Sequence, residues 1–478
     1  MHYIDIAVFL LYMVGILGIG WFFMNRNKGD EDYFLAGRDM SWPHVGLSVV
    51  ATDVGGGFSI GLGGLGFILG ISGSWMLFTG LIGAWLSAVL LIPRVKNLST
   101  RERFFTMPQM FGYHFGPSAA IVAGVISAVG YIGFTSSQML AGAKLASVSF
   151  PVISLEMALL VMGFIIVVYT VMGGIKAVIY TDTFQWALLM IGLIFVGIPI
   201  AYYAVGGYEA IKSTLPGSFL RLDAVSGWQI LNWMITIIPI WFVGMTLYQR
   251  IYASRTEKDA RKAWYLAGLF EWPIMAFMGV FLGLLARVAA DQGMFIALGF
   301  ESAETMDAEM GLPMLLVTVL PIGFMGLMMS AYFSAVMSTA DSCLVAASGN
   351  VVTDILRKGL RFRNKSISDI RLSQMVTLIL GVLALSIALA FENVLEIMLW
   401  SYAFMVSGLL VPVIGALFWK VKSPQAAVSA MIGGGLTTVV CTLWSPEWIP
   451  QQLDPNFYGL FVSAVLFISV SRFPKPSH

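Results

Sequence analysis

Residues 333–342 read FSAVMSTADS inside an otherwise apolar run. On a helix Ala335, Ser338, Thr339 and Ser342 share a stripe about 100° wide, with Asp341 one step beyond it. Hydroxyls and a carboxylate are hard oxygen donors, the kind that a small alkali cation takes. Carbonyls of a broken helix complete such a shell. The competing reading is that each hydroxyl bonds the carbonyl four residues back on its own helix. Three other acids also lie in apolar stretches: Asp53, Asp182 and Glu271. A charge at the centre of a membrane helix costs roughly 2.5–3.5 kcal/mol on insertion scales. Each of these acids therefore needs a partner, water or an ion. Asp182, in GGIKAVIYTDTFQW, also suits a helix start, where the dipole favours an acid. Glu271, in FEWPIM, reads as a partner for backbone freed by Pro273 and receives no transport role.

The elements that must position these groups are membrane spans. The chain is 58% hydrophobic and 11% charged, against about 25% charged in soluble domains. Its net charge of +1 gives no sign of a nucleic-acid partner. Cys343 and Cys441 support neither a disulfide framework nor a metal site. Thirteen apolar segments follow: 3–24, 42–70, 73–93, 117–146, 151–173, 179–204, 229–250, 263–287, 311–353, 372–391, 393–418, 424–444 and 456–472. The first is read as a retained span, because it lacks a basic start and is long enough to cross. The segment 311–353 exceeds what a bilayer needs and must tilt or project.

Basic residues set the orientation. With the N-terminus outside and the C-terminus inside, 23 of the 27 Lys and Arg fall in inner loops, Arg250 among them. Only Lys144, Lys212, Arg221 and Arg287 fall outside, where the loop 288–310 is acidic.

Two spans carry interruptions. The second contains Asp53 beside Gly55, Gly56 and Gly57. One glycine costs a helix interior about 1 kcal/mol relative to alanine, so three together predict unwound backbone. Unwound backbone at membrane depth is tolerated where it lines a protein cavity. The following run, GLGGLG at 61–66, reads instead as close helix packing. The seventh span carries Pro239 and Gly244 near its middle, which predicts a kink or a break. These two spans are five apart. Transporters built from inverted repeats place one broken helix in each half, which makes spans 2–6 and 7–11 the repeats. The expected division is 1–41 (extra helix and inner loop), 42–204 (first repeat), 205–228 (outer loop), 229–418 (second repeat) and 419–478 (two extra helices).

At three motifs the chain resembles the sodium:solute symporter family, which includes carriers of proline, sugars, pantothenate, sialic acid and choline. They are DYFLAGR at 32–38, GGIKAVIYTDTFQ at 173–185 and SAVMSTADS at 334–342. The resemblance implies an all-α membrane protein with the five-plus-five inverted repeat of the leucine-transporter type, flanked by one N-terminal and two C-terminal helices. It also implies a sodium site formed by the carbonyls of Ala51, Val54 and Ala335 with the hydroxyls of Ser338 and Thr339. Some members hold a second sodium, for which the matching positions are Asp182, Ser338, Asp341 and Ser342. Asp341 departs from the Ser or Thr common there.

For the solute, the resemblance places Phe58 where sugar carriers have Gln. That argues for a small amine-bearing or zwitterionic solute, proline- or choline-like. The expected pocket is Asp53, Gly55, Gly56, Gly57, Phe58, Phe134 and Trp241. Asp53 faces either sodium or a solute amine, and spacing does not separate these. The expected activity is sodium-coupled import through the plasma membrane by alternating access, with no cofactor beyond the ion and no obligatory protein partner. A proton-coupled carrier of a carboxylate such as pantothenate, or a transporter-derived sensor, is the alternative. A channel would need repeated rings of one chemistry. An enzyme would need a nucleophile with its base, yet His2, His44, His114 and His478 share no motif with one.

Overall fold

A computed structural model of the chain describes residues 2–24, 35–53, 55–150, 152–300, 302–360, 369–419, 422–444, 450 and 452–472. Among them regular structure is helical, apart from an isolated bridge between Met40 and Ser254. The main helices are α1 (Tyr3–Met24), α2 (Trp42–Asp53), α3 (Gly56–Leu69), α4 (Trp75–Leu90), α5 (Ile92–Glu102), α6 (Met107–Phe115), α7 (Pro117–Ser149) and α8 (Leu155–Gly192). They continue with α9 (Gly227–Val243), α10 (Met245–Ala253), α11 (Glu257–Leu269), α12 (Ala276–Asp291), α13 (Ala308–Val319) and α14 (Phe324–Asn350). The last four are α15 (Asp369–Ala388), α16 (Val394–Ile414), α17 (Pro424–Trp444) and α18 (Pro455–Arg472). Among the described residues, eight helical stretches are long and apolar enough to cross a bilayer, or nine if the bent pair α9–α10 is one span.

Two expectations about the spans change, and a third is narrowed to one residue. The loop expected between the fifth and sixth segments is helical, because α8 runs through 174–178 without a stop. The long segment 311–353 neither tilts nor projects as one rod. It divides at 320–323, where Gly323 takes φ +91°, into α13 and α14. Glycine adopts that left-handed backbone without a Cβ clash. The seventh span bends by 41° at Gly244, whereas Pro239 lies within α9 without ending it. Gly244 is extended, with φ −69° and ψ 114°.

Helix starts follow local chemistry. Ser226 and Thr256 accept the backbone N–H of Gln229 and Asp259, at 3.2 and 3.0 Å. Such caps satisfy donors that a first turn leaves unpaired.

The central element is α14, buried along almost its whole length between α7, α8 and α1. Asp5 of α1 closes its first turn: one carboxylate oxygen accepts from Gly323 N and Gly326 N, at 2.7 and 2.8 Å. Near the far end of α7, buried Lys144 meets Asp307 and Glu309 at 2.5 and 2.7 Å. Glu309 also accepts from Val394 N and Leu395 N at the start of α16. One carboxylate thus ties α7, α13 and α16 together.

The GLGGLG run packs as expected. A Cβ on Gly66 would lie 2.0 Å from the Val280 carbonyl oxygen, and one on Gly283 would lie 1.9 Å from the Gly63 carbonyl oxygen. The backbones of α3 and α12 touch there, so no side chain fits between them. Gly66→Val should lower the thermal midpoint of the detergent-solubilised chain, at an overpacking cost of about 1–3 kcal/mol or more. Gly15→Ala, with nothing within 4 Å of its added carbon, should leave the midpoint unchanged in the same assay.

Candidate ion and solute site

The second span is broken where the glycines predict it. α2 stops at Asp53, Gly55 is a turn, and α3 restarts at Gly56. Val54, an expected ligand, lies outside the described residues. The break lies against α14. Thr339 Oγ1 donates to the Ala51 carbonyl at 3.0 Å and lies 3.1 Å from the Ala335 carbonyl. The hydroxyl therefore satisfies both readings of the serine and threonine stripe: it back-bonds its own helix and bridges to the loosened one. Glycine is required at position 55, since a Cβ there would lie 1.8 Å from Thr339 Oγ1. Ala51, Ala335 and Thr339 thus converge.

Ser338, the remaining member of that set, points to Asp182 and hydrogen-bonds its Oδ1. Ser48 Oγ of α2 donates to Asp182 Oδ2 at 2.5 Å. The same carboxylate faces a residue that the sequence reading left among loop cations. Arg250 of α10 has 0% side-chain exposure, as does Asp182, and its Nη2 lies 3.4 Å from Asp182 Oδ2. Arg250 also donates to Ser48 Oγ, Thr52 Oγ1, Ser342 Oγ and the Thr246 carbonyl. One guanidinium thus joins α2, α8, α10 and α14 through charge-assisted bonds. Asp341 stands apart from this cluster and hydrogen-bonds Thr170 of α8. Of the four positions considered for a second sodium, Asp182 and Ser342 contact Arg250, Ser338 bonds Asp182, and Asp341 accepts from Thr170 of α8.

Both breaks lean on α7. Gln138 Oε1 accepts from Gly57 N at 2.9 Å, just after the first break. Tyr131 Oη accepts from Thr246 N at 3.1 Å, just after the second. Beside them Phe134 stacks on Tyr402 of α16, with ring centroids 5.0 Å apart and planes 9° from parallel. Phe58 lies 6.3 Å from the same ring. Tyr402 Oη donates to Asp53 Oδ1 at 3.4 Å. Asp53, Gly57, Phe58 and Phe134 therefore gather around Tyr402 and Gln138. Trp241 is fully buried, with Gly83 and Trp264 among its neighbours.

Sequence reasoning missed Arg250, Gln138 and Tyr402. The polar triplet Ser136–Ser137–Gln138 inside the fourth span was a visible signal. Arg250 was masked by its place at a span end, and a lone tyrosine in an apolar helix carries no signal. Glu271 also differs from expectation. Neither of its carboxylate oxygens accepts a hydrogen bond from freed backbone.

The chain matches the family model described as the sodium:solute symporter family over residues 33–434. It is similar to the osmoregulated proline transporter OpuE of Bacillus subtilis (strain 168), 26% identical over 98% of this chain and 96% of that protein. The sodium/proline symporter of Escherichia coli (strain K12) is 26% identical over 98% and 94%. Sodium/glucose cotransporter 1 of Oryctolagus cuniculus is 27% identical over 74% of this chain and 58% of that protein. Among solved structures, a Na+-coupled sialic acid symporter in a substrate-bound outward-open state covers 99% of this chain and 98% of its own at a TM-score of 0.79. Its 21% identity carries the fold alone. With the family model spanning most of a chain of apolar, membrane-crossing helices, this protein belongs to the sodium:solute symporter family.

Proposed function

We propose that the chain imports a small amine-bearing or zwitterionic solute, proline- or betaine-like, together with sodium. The observation that carries the coupling is the Thr339 hydroxyl, held between the carbonyls of Ala51 and Ala335 at a helix break. The carbonyls of Ala51, Val54 and Ala335 with the hydroxyls of Ser338 and Thr339 form the sodium shell in this reading. Sodium there takes the bridging place of the Thr339 proton, drawing the broken span to α14 and shaping the neighbouring pocket. Ion and solute then raise each other's affinity by the same factor, because linkage is reciprocal.

The solute reading rests on what surrounds the break. Phe58, Phe134 and Tyr402 supply aromatic faces, which attract a positively charged nitrogen. Asp53 supplies the negative charge beside them. Gly55 and Gly57 let Thr339 and Gln138 close on the loosened main chain beside the pocket, with Gly56 between them, and Trp241 lies on the broken seventh span. Proline transporters are among the relatives, and Phe58 replaces the glutamine of sugar carriers. A cavity of about 650 Å³ lined by Gly61, Gly64, Phe67, Arg287, Asp307 and Glu309 opens along α3 beyond the break, and in this reading it serves as an entry path.

The finer architecture belongs to the same proposal: thirteen spans, the N-terminus outside, the C-terminus inside, and repeats at 42–204 and 229–418 with one broken helix each. The interruption of the second span ahead of Gly56 and the bend at Gly244 support it. Rocking of one bundle against the other exposes the site to each side in turn. At the second position, Arg250 holds the positive charge in this arrangement. A sodium bound by Asp182, Ser338, Asp341 and Ser342 enters only after the guanidinium withdraws.

Purified protein in liposomes should accumulate labelled proline or glycine betaine under an inward sodium gradient, with glucose and pantothenate as controls. Uptake that follows a pH gradient and ignores sodium would sink the coupling. Thr339→Ala should raise the sodium concentration for half-maximal uptake about tenfold, the equivalent of about 1.4 kcal/mol. An unchanged sodium response would remove Thr339 from the shell. Arg250→Ala strands the Asp182 charge and should destabilise the chain by about 3–5 kcal/mol, read as a lower thermal midpoint in detergent. Adding Asp182→Asn to that variant should recover much of the loss.

A further inference from the structure

The short helix α13 has open space on both flanks. On one side lies the cavity of about 650 Å³, lined by Asp307 and Glu309 among others. On the other lies a second cavity of about 400 Å³, lined by Met310 and Met314 with Ser147 and Phe300. Protein interiors ordinarily hold few voids larger than a water molecule. An element with room on either flank can shift without forcing its neighbours apart. Its contact with α3 is also smooth. A Cβ on Gly63 would stand 2.9 Å from Leu312 Cβ, one on Gly64 3.0 Å from Glu309 Cγ, and one on Gly311 2.8 Å from Phe67 Cδ2. Bare backbone, rather than interlocked side chains, meets at each of these points.

Charge is what ties α13 down. Glu309 Oε2 accepts from Lys144 Nζ at 2.7 Å and from Val394 N at 2.8 Å, and Oε1 accepts from Leu395 N at 2.9 Å. First-turn N–H groups have no partner within their own helix. The N-cap residue of α16, Asn393, gives them no side-chain bond, so a carboxylate from another helix caps α16 in its place. Lys144 also holds Asp307 at 2.5 Å. If α16 parts from Glu309, the carboxylate keeps Lys144, and Lys144 keeps both acids. No buried charge is stranded, and the freed N–H groups turn to a cavity that Asn393 and Leu395 line. Further along α16 lie Met398, beside Gln138, and Tyr402, beside Asp53. We propose that Glu309 is a latch on the cavity side, and that the candidate site is uncovered when the start of α16 leaves its carboxylate. The latch rests on the reading of this cavity as the entry path.

The test labels a thiol beneath the clasp in the full-length protein, in sealed vesicles without solute. Met398→Cys places it at a fully buried position one turn into α16. Cys343 and Cys441 are both buried, and the parent chain supplies their background. The probe is a membrane-impermeant trimethylammonium methanethiosulfonate, added to each side in turn. Adding Glu309→Gln should speed labelling from the cavity side about tenfold, the scale of one charge-assisted bond. Asp307→Asn, which leaves Glu309 on α16, should keep the parent rate. Glu309→Asp, too short to reach both N–H groups, should also speed labelling and serves if the glutamine variant does not fold. Parent rates in the Glu309 variants overturn the latch. So does an Asp307→Asn rate as fast as that of Glu309→Gln, since any lost charge would then loosen α13. Labelling from the opposite side alone overturns the entry path and the latch together. The assay needs no transported solute, so failure of the solute reading shows separately, as absent uptake of proline and betaine.

Discussion

Backbone that leaves the helix within an apolar phase has no water to bond, so every loosened group must find a partner in the protein. That constraint organises the centre of this chain. The break ahead of Gly56 presents the Ala51 carbonyl to Thr339 and the Gly57 N–H to Gln138. The bend at Gly244 presents the Thr246 N–H to Tyr131. One helix, α7, serves both breaks from residues two turns apart, and α14 closes the first from the opposite side. The partners of a loosened span are the groups that an ion can displace or join. In the proposed sodium reading, satisfying the backbone and building a cation shell thus draw on the same atoms.

Buried charge is handled by the same economy. Arg250 collects a carboxylate, three hydroxyls and a carbonyl, so neither it nor Asp182 is left bare. Lys144, about 20 Å further along α7 than Tyr131, holds Asp307 and Glu309 in a second cluster. Each cluster joins elements distant in sequence, and each must loosen if the bundles on either side of the site are to move. Asp341 is held differently: Thr170 donates to it, and no ion pair with it is seen among the described residues.

The bends also explain how residues far apart in the chain meet. Arg250 reaches Ser48 and Thr52 because the chain turns by 41° at Gly244. Thr339 reaches Ala51 because Gly55 carries no side chain. In both cases a small residue at a break decides a contact between large elements.

Much of this was legible in the residues themselves. Composition and apolar segments determined a helical membrane protein, and the triple glycine located the first break. The hydroxyl stripe at 335–342 marked the face that meets it, and GLGGLG marked close packing of α3. These are local properties, governed by period, side-chain volume and the price of unpaired backbone. What only the tertiary structure decided were partnerships: Arg250 with Asp182, Gln138 with Gly57, Tyr402 with Phe134, Thr170 with Asp341. A charged or polar residue in an apolar segment announces that it needs a partner. Which partner it finds depends on bends, registers and packing distances set by the whole bundle, and no single stretch of sequence contains them.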